Sequence, residues 1–223
     1  MNDLHVHITI DSNLYCKDPE SSDLGRKIVE HGIEMIHELG YECFTFKKLG
    51  DRINSNESSI YRYFESKHTF LIYLLNWYWS WIEYKLVFTT TNIDCSEEKL
   101  DKSIQLLTQE VKEDNEFTFI NEVLLGKIII EESSKIYHTR NVDKENEKGY
   151  YSPYKRVVER VCDFVLEVNP NFKYPHMLIS TIIEGAHHQR YFSEHIPDLT
   201  NFEKGKNNIV QFYKQLIKDT LKT

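Results

Sequence analysis

Residues 45–67, TFKKLGDRINSNESSIYRYFESK, constrain this chain more than any other stretch. They read as a short helix, a tight turn and a second short helix ending in aromatics. Thr45 is placed to cap the first helix, its side-chain oxygen satisfying an orphan backbone N–H. Phe46, Leu49 and Ile53 follow at i, i+3 and i+7, one face of a 3.6-residue period. Asn54, Ser55 and Asn56 interrupt the pattern. Asparagine tolerates left-handed backbone, and Ser or Asn can cap the helix that follows. Ile60 and Phe64 sit one turn apart, placed to pack back on the first helix. Glu57, Ser58, Ser59, Tyr61, Arg62 and Tyr63 are left mostly outward. A second helix showing small polar, tyrosine and arginine groups to solvent fits a major groove.

The rest of the chain sets bounds on this reading. At 223 residues it is long enough for one large domain or two small ones, and 40% hydrophobic with 28% charged residues suits a soluble globular chain. Residues 1–10, MNDLHVHITI, have neither the basic start nor the apolar core of a signal peptide. The most apolar windows, around 70–88 and 118–130, carry charges or are too short to span a bilayer. A cytoplasmic protein with no membrane partner is expected. Cys16, Cys43, Cys95 and Cys162 are scattered without C-x-x-C spacing, so neither a zinc site nor a disulfide framework is expected. The net charge of −8 argues against a polyanion partner until its distribution is considered. Residues 45–67 hold five cations against three carboxylates, and residues 1–23 hold Lys17 against five carboxylates. An acidic body with a locally basic head is compatible with DNA and discourages indiscriminate sticking to phosphate.

Taken in order, the chain is all-α with one short strand. Leu4, Val6, Ile8 and Ile10 alternate with His5, His7 and Thr9, a strand pattern that needs a partner. His5 and His7 share a face, a pair for a metal or simply a solvated edge; no third ligand is placed, and no metal is expected. Residues 11–23 read as a polar linker. Helices are expected at about 23–39, stopped by Gly40, then 46–53 and 57–64. The first has a stripe of Ile28, Gly32, Met35 or Ile36, and Leu39. A helix of about 67–88, capped by Ser66, holds all three tryptophans, Trp77, Trp79 and Trp81, among Phe70, Tyr73, Tyr78, Tyr84 and Phe88. Residues 77, 78, 79 and 81 cannot share one face. The helix is therefore buried on two sides, or part of its aromatic wall lines a ligand pocket. Asp94 and Glu97 are spaced as a capping pair for a helix to about 112. Another helix is expected at about 116–135, and residues 138–151 read as an exposed connection. Helices at about 152–168, 174–193 and 200–221 complete the set, with Met177, Leu178, Phe212 and Leu216 among the inward residues and a Thr200–Glu203 capping box opening the last.

At this point the residues resemble a known family. Ile28, Gly40-Tyr41, Thr45, Leu49, Ile53, Ser59-Ile60-Tyr61-Arg62-Tyr63-Phe64 and Ser66-Lys67 resemble the N-terminal domain of TetR-family transcriptional regulators. The match covers roughly residues 24–70. Beyond the strand and linker (1–22) read from the residues themselves, the resemblance implies a three-helix DNA-binding domain (23–67) and a helical domain (68–223) that binds an unidentified small-molecule inducer. It also implies a homodimer through the last two helices, where Gly185 and Ala186 fit either a close seam between copies or plain packing within the chain. Two departures stand out. Asn54-Ser55 replaces the usual glycine and aliphatic residue of the turn, and Glu57 stands where lysine or an uncharged polar group is common.

Carried over position by position, Thr45 and Lys47 match contacts to backbone phosphate. Ser58, Ser59 and Arg62 match recognition-helix positions, Tyr61 a phosphate-contacting tyrosine, and Lys67 the lysine beyond the recognition helix. Arg62 is suited to guanine O6 and N7, or to phosphate. Trp77, Trp81, Tyr84 and His188 are the candidates for ligand binding. The expected function is a ligand-responsive, DNA-binding regulator acting as a repressor, with no catalytic residues and no cofactor. The alternative is a small-molecule-binding protein of the same fold that has lost specific DNA binding. An enzyme would need the Glu184, His188 and Tyr191 face as an acid–base or metal group, and is not expected.

Overall fold

A computed structural model describes residues 8–113 and 119–222. Among them are α1 (Asp23–Cys43), α2 (Phe46–Arg52), α3 (Glu57–Tyr61), α4 (Lys67–Thr90), α5 (Ser96–Thr108), α6 (Glu122–Glu131), α7 (Ser133–Tyr137), α8 (Val142–Glu147), α9 (Ser152–Val168), α10 (Pro175–His195) and α11 (Asn208–Leu221), with three short 3-10 turns. No strand occurs among the described residues. Leu4 to His7, half of the expected strand and both of its histidines, lie outside them. Ile8 and Ile10 are buried and Thr9 is exposed, so the alternation in the sequence is real. It serves packing, and no ladder forms at residues 8–10.

The described chain divides into two compact units, residues 8–80 with 111–113 and 119–152, and residues 81–110 with 153–222.

In the first unit, α1 starts where Ser22 Oγ accepts from Gly25 N, and it buries Ile28, Val29, Gly32, Ile33, Met35 and Ile36 along one stripe. Leu39, expected in that stripe, is 44% exposed. The stripe ends at Gly40, whose φ of 75° and ψ of 154° break the helix where the sequence places a stop. Phe44, Phe46, Phe64 and Phe70 form one aromatic cluster, with Phe64 and Phe70 ring centroids 4.9 Å apart. Burying each of these rings contributes roughly 1.5–3 kcal/mol.

Residues 11–22 are more than a linker. Leu14 is fully buried, and the Pro19 carbonyl approaches so close to Gly25 that a Cβ there would meet it at 2.1 Å. The 138–151 connection likewise contains α8, buried through Glu145. The helix expected over 116–135 begins at Glu122, capped by Asn121, and breaks at Glu132.

In the second unit, α5, α10 and α11 pack together. Arg190 donates to the Thr108 carbonyl at the end of α5, and Lys214 Nζ reaches Asp101 Oδ2 at 2.6 Å. A Cβ on Gly185 would lie 2.4 Å from the Tyr213 hydroxyl, and Ala186 is buried. Gly185 thus admits a tyrosine of the same chain. The Asp94–Glu97 cap does not form, since Cys95 precedes α5 without a side-chain cap. Nor does the Thr200–Glu203 box. Glu203 pairs with Lys206, Gly205 turns with φ of 83°, and α11 starts only at Asn208. Met177 and Phe212, expected inward, are 68% and 56% exposed.

Candidate nucleic-acid interface

The helix–turn–helix forms as its local chemistry dictates. Thr45 Oγ1 accepts from Lys48 N at 3.2 Å, closing the start of α2. Asn54 adopts φ of 52°, and Ser55 N then donates to the Gly50 carbonyl at 2.8 Å. Gly50 is required here: a Cβ would sit 2.8 Å from the Ser55 carbonyl oxygen. Asn56 caps α3, its Oδ1 accepting from Ser59 N and Ser59 Oγ at 2.8 Å each and from Ser58 Oγ at 2.6 Å. Ile60 and Phe64 are fully buried and hold α3 against α2.

This packing leaves Ser58, Tyr61 and Arg62 exposed on one short helix and its last turn. The Tyr61 ring meets Phe46 edge-on at 5.1 Å, which fixes its direction while leaving it 48% exposed. Lys47 is exposed at the start of α2, and Ser59 is half-buried. Of the residues expected to meet DNA, Thr45, Lys47, Ser58, Ser59, Tyr61 and Arg62 therefore lie on the two helices of one motif.

Lys67 behaves differently. Its ammonium lies 3.2–3.4 Å from the carbonyl oxygens of Tyr41, Glu42 and Phe44, and 4.5 Å from the centroid of the Tyr41 ring. It satisfies carbonyls left by the break of α1 at Gly40. Arg52 is also engaged within the protein, donating to Glu38 at 2.6 and 2.8 Å and to Glu34 at 3.3 Å. Its bond holds the Glu38 carboxyl below the usual range. Lys48 reaches the Cys43 carbonyl at 2.8 Å. Tyr63, expected outward, is only 3% exposed. Its hydroxyl lies 2.8 Å from Ser22 Oγ and accepts from Lys17 Nζ at 3.2 Å. These two partners were not legible as functional, although Lys17 is the only cation in residues 1–23.

The residues expected to bind a ligand fall in both units. Trp77 belongs to the first unit, and Trp81, Tyr84 and His188 to the second. All three tryptophans are buried, and Lys85 Nζ lies 4.5 Å over Trp81. His188 is exposed and its ring lies near Phe192. Glu184 accepts from the Tyr154 hydroxyl at 2.9 Å, and Tyr191 stacks toward His195. The second unit instead has a cavity of about 470 Å³ between α5, the end of α9 and α11, with Leu100, Val168, Ile217 and Leu221 beneath Glu97, Asp101, Lys218 and Lys222. Among the described residues, no group of three or more His, Cys, Asp or Glu side chains is arranged to hold a metal. No helix there is long and apolar enough to cross a membrane.

The fold and this head define an all-α helix–turn–helix protein. Residues 28–74 match the sequence profile of the bacterial regulatory proteins, tetR family. Comparison with proteins of curated function gives no match. Among solved structures, the chain is similar to the superantigen PfiT, with TM-score 0.56, 13% identity, and 92% of this chain and 96% of that one covered. It is similar to AibR in complex with isovaleryl coenzyme A and operator DNA, with TM-score 0.55, 14% identity and coverages of 87% and 97%. It is also similar to the ketosteroid transcriptional regulator KstR2 of Mycobacterium tuberculosis, with TM-score 0.53, 13% identity and coverages of 96% and 95%. At these identities the likeness is one of fold.

Proposed function

We propose that this chain is a ligand-responsive, DNA-binding transcriptional regulator that acts as a homodimeric repressor. The observation that carries the reading is the exposure of Tyr61 and Arg62 on a helix capped by Asn56, inside a head that matches the family over residues 28–74. A guanidinium so placed suits guanine or phosphate, and Thr45 and Lys47 stand at the start of the supporting helix, where backbone contacts fix register. AibR, similar in fold, is described with both an acyl-coenzyme A and operator DNA. That supports a small-molecule effector here, with Trp77, Trp81, Tyr84 and His188 as its candidate contacts. The exposure of Met177 on α10 and Phe212 on α11 supports a second copy covering the last two helices. The test is a gel shift on DNA from upstream of the protein's own gene, with Arg62→Ala as the control.

A second reading is a ligand-binding protein of this fold without specific DNA binding. It is favoured by the engagement of Arg52 and Lys67 within the protein and by Glu57 in the first turn of α3. A ligand-induced rise in melting temperature, with no affinity for DNA at moderate salt, distinguishes it.

A further inference from the structure

Tyr63 lies just beyond α3, and it is where the segment preceding α1 is tied to the head. The Cys16 N–H donates to the Tyr63 carbonyl at 2.8 Å, Ser22 Oγ meets its hydroxyl, and Lys17 Nζ donates to that hydroxyl while lying 5.1 Å from the ring centroid. Lys17 itself is exposed. Burial alone would raise the Tyr63 hydroxyl. It is nevertheless held below its ordinary value, because the bonds from Ser22 and Lys17 and the charges of Lys17 and Arg62 prevail. Lys17 therefore places a cation on the hydroxyl of the residue that follows Arg62, at the end of the reading helix.

Asp18 and Glu20, carboxylates of the same segment, add to burial in raising the Tyr15 and Tyr73 hydroxyls. Asp18 Oδ1 accepts from Glu20 N at 2.9 Å, and Asp23 pairs with Arg26. An otherwise acidic segment thus presents its one cation at Tyr63, the residue that follows Arg62.

We infer that Lys17 contacts a DNA backbone phosphate next to the phosphate or base met by Arg62. It takes the place that sequence resemblance gives to Lys67, whose ammonium is held by three carbonyls. This inference rests on the DNA-binding reading and adds a contact to it. The segment before α1 becomes part of the DNA-binding surface, with Tyr63 as the positioning residue that sets its register.

The test is the salt dependence of binding to the duplex from upstream of the protein's own gene, for wild type, Lys17→Gln, Lys17→Arg and Arg62→Ala. Each cation that leaves the phosphate interface reduces the slope of log Kobs against log[salt] by about 0.9 per bound chain. Lys17→Gln is expected to lose about that much slope while remaining folded at the assay temperature, with only a small drop in melting temperature from its lost contact with Tyr63, and Lys17→Arg to keep the wild-type slope. Weaker binding with the slope unchanged would make Lys17 a purely structural tie and overturn the inference, as would wild-type binding by Lys17→Gln. Wild type that fails to bind, indistinguishable from Arg62→Ala, defeats the DNA-binding reading itself and this inference with it.

Discussion

The Lys67 ammonium lies 3.2 Å from the Tyr41 carbonyl oxygen and 4.5 Å over the Tyr41 ring. One cation thereby serves the broken end of α1 twice, as a donor to carbonyls and as a partner of an aromatic face. The Tyr41 hydroxyl is pushed up to about 12, by burial first and then by Glu42, Glu132 and Glu145. Lys67→Met is therefore expected to cost about 1–2 kcal/mol of stability through the lost cation–π contact and carbonyl bonds. It should leave the salt dependence of DNA binding unchanged. Chemical denaturation beside the salt titration checks both. A stable variant with a reduced slope would mean that Lys67 meets phosphate after all.

The same corner is held from the other side by Glu132. Its Oε1 accepts from Tyr41 N at 3.0 Å, in a buried setting, and its Oε2 meets Lys135. Glu132→Leu leaves that N–H without its acceptor and is expected to cost about 1–3 kcal/mol. Glu132→Gln keeps a carbonyl oxygen for it and should cost less. Urea midpoints of the two variants decide the order, and equal costs would show that the charge matters more than the Tyr41 bond.

The turn between α2 and α3 makes a sharp pair of substitutions. Asn54 has φ of 52°, which glycine accepts without strain and valine does not. Asn54→Gly is expected to be nearly neutral, and Asn54→Val to cost about 1–2 kcal/mol. Gly50→Ala should be damaging too, because its Cβ would meet the Ser55 backbone oxygen at 2.8 Å. Melting temperatures of the three variants provide the check. Tolerance of both Asn54→Val and Gly50→Ala would contradict the turn as described.

Stability should also depend on pH through His187. Burial, then the charges of Arg190 and His188, push this imidazole down to about 4 from its ordinary 6.5. The unfolded chain then binds a proton that the folded chain refuses. The neutral histidine's contribution is complete above pH 6.5 and is lost as pH falls from there toward 4. The drop amounts to roughly 3 kcal/mol. His187→Gln should flatten that part of the stability curve, measured by denaturation at a series of pH values. An identical slope in the variant would place the titration elsewhere.

Much of the head was legible because it is specified locally. Thr45, Asn54, Asn56 and Gly40 each act on backbone within a few residues, and Phe46, Leu49, Ile60 and Phe64 show their period directly. Contacts distant in sequence were not legible. The engagement of Lys67 depends on carbonyls 23–26 residues earlier, and the inward turn of Tyr63 depends on Ser22 and Lys17, 41 and 46 residues away. Arg52 reads as a free cation until Glu34 and Glu38 are placed beside it on α1. The last helix was misread because a capping pair is only a spacing. Glu203 found Lys206, and Gly205 broke the first turn. The exposure of Met177 and Phe212 is likewise invisible to periodicity, which marks an apolar face without saying what covers it.

Because all three tryptophans lie on α4, intrinsic fluorescence reports on that helix. A ligand that contacts Trp77 or Trp81 should quench or shift the emission as it raises the melting temperature. A ligand seated between α5, α9 and α11 should raise the melting temperature with the emission unchanged. Leu100→Trp, which fills the cavity between α5, α9 and α11, should then abolish the thermal shift.

The central claim is that α3 reads DNA through Arg62. Its most direct test is the affinity of the full chain for the duplex upstream of its own gene, against a scrambled duplex of equal length at the same moderate salt. The account predicts a preference for the upstream duplex that Arg62→Ala reduces by about 1–3 kcal/mol, with the folded state intact. Equal, weak binding of both duplexes by wild type and variant alike would contradict it.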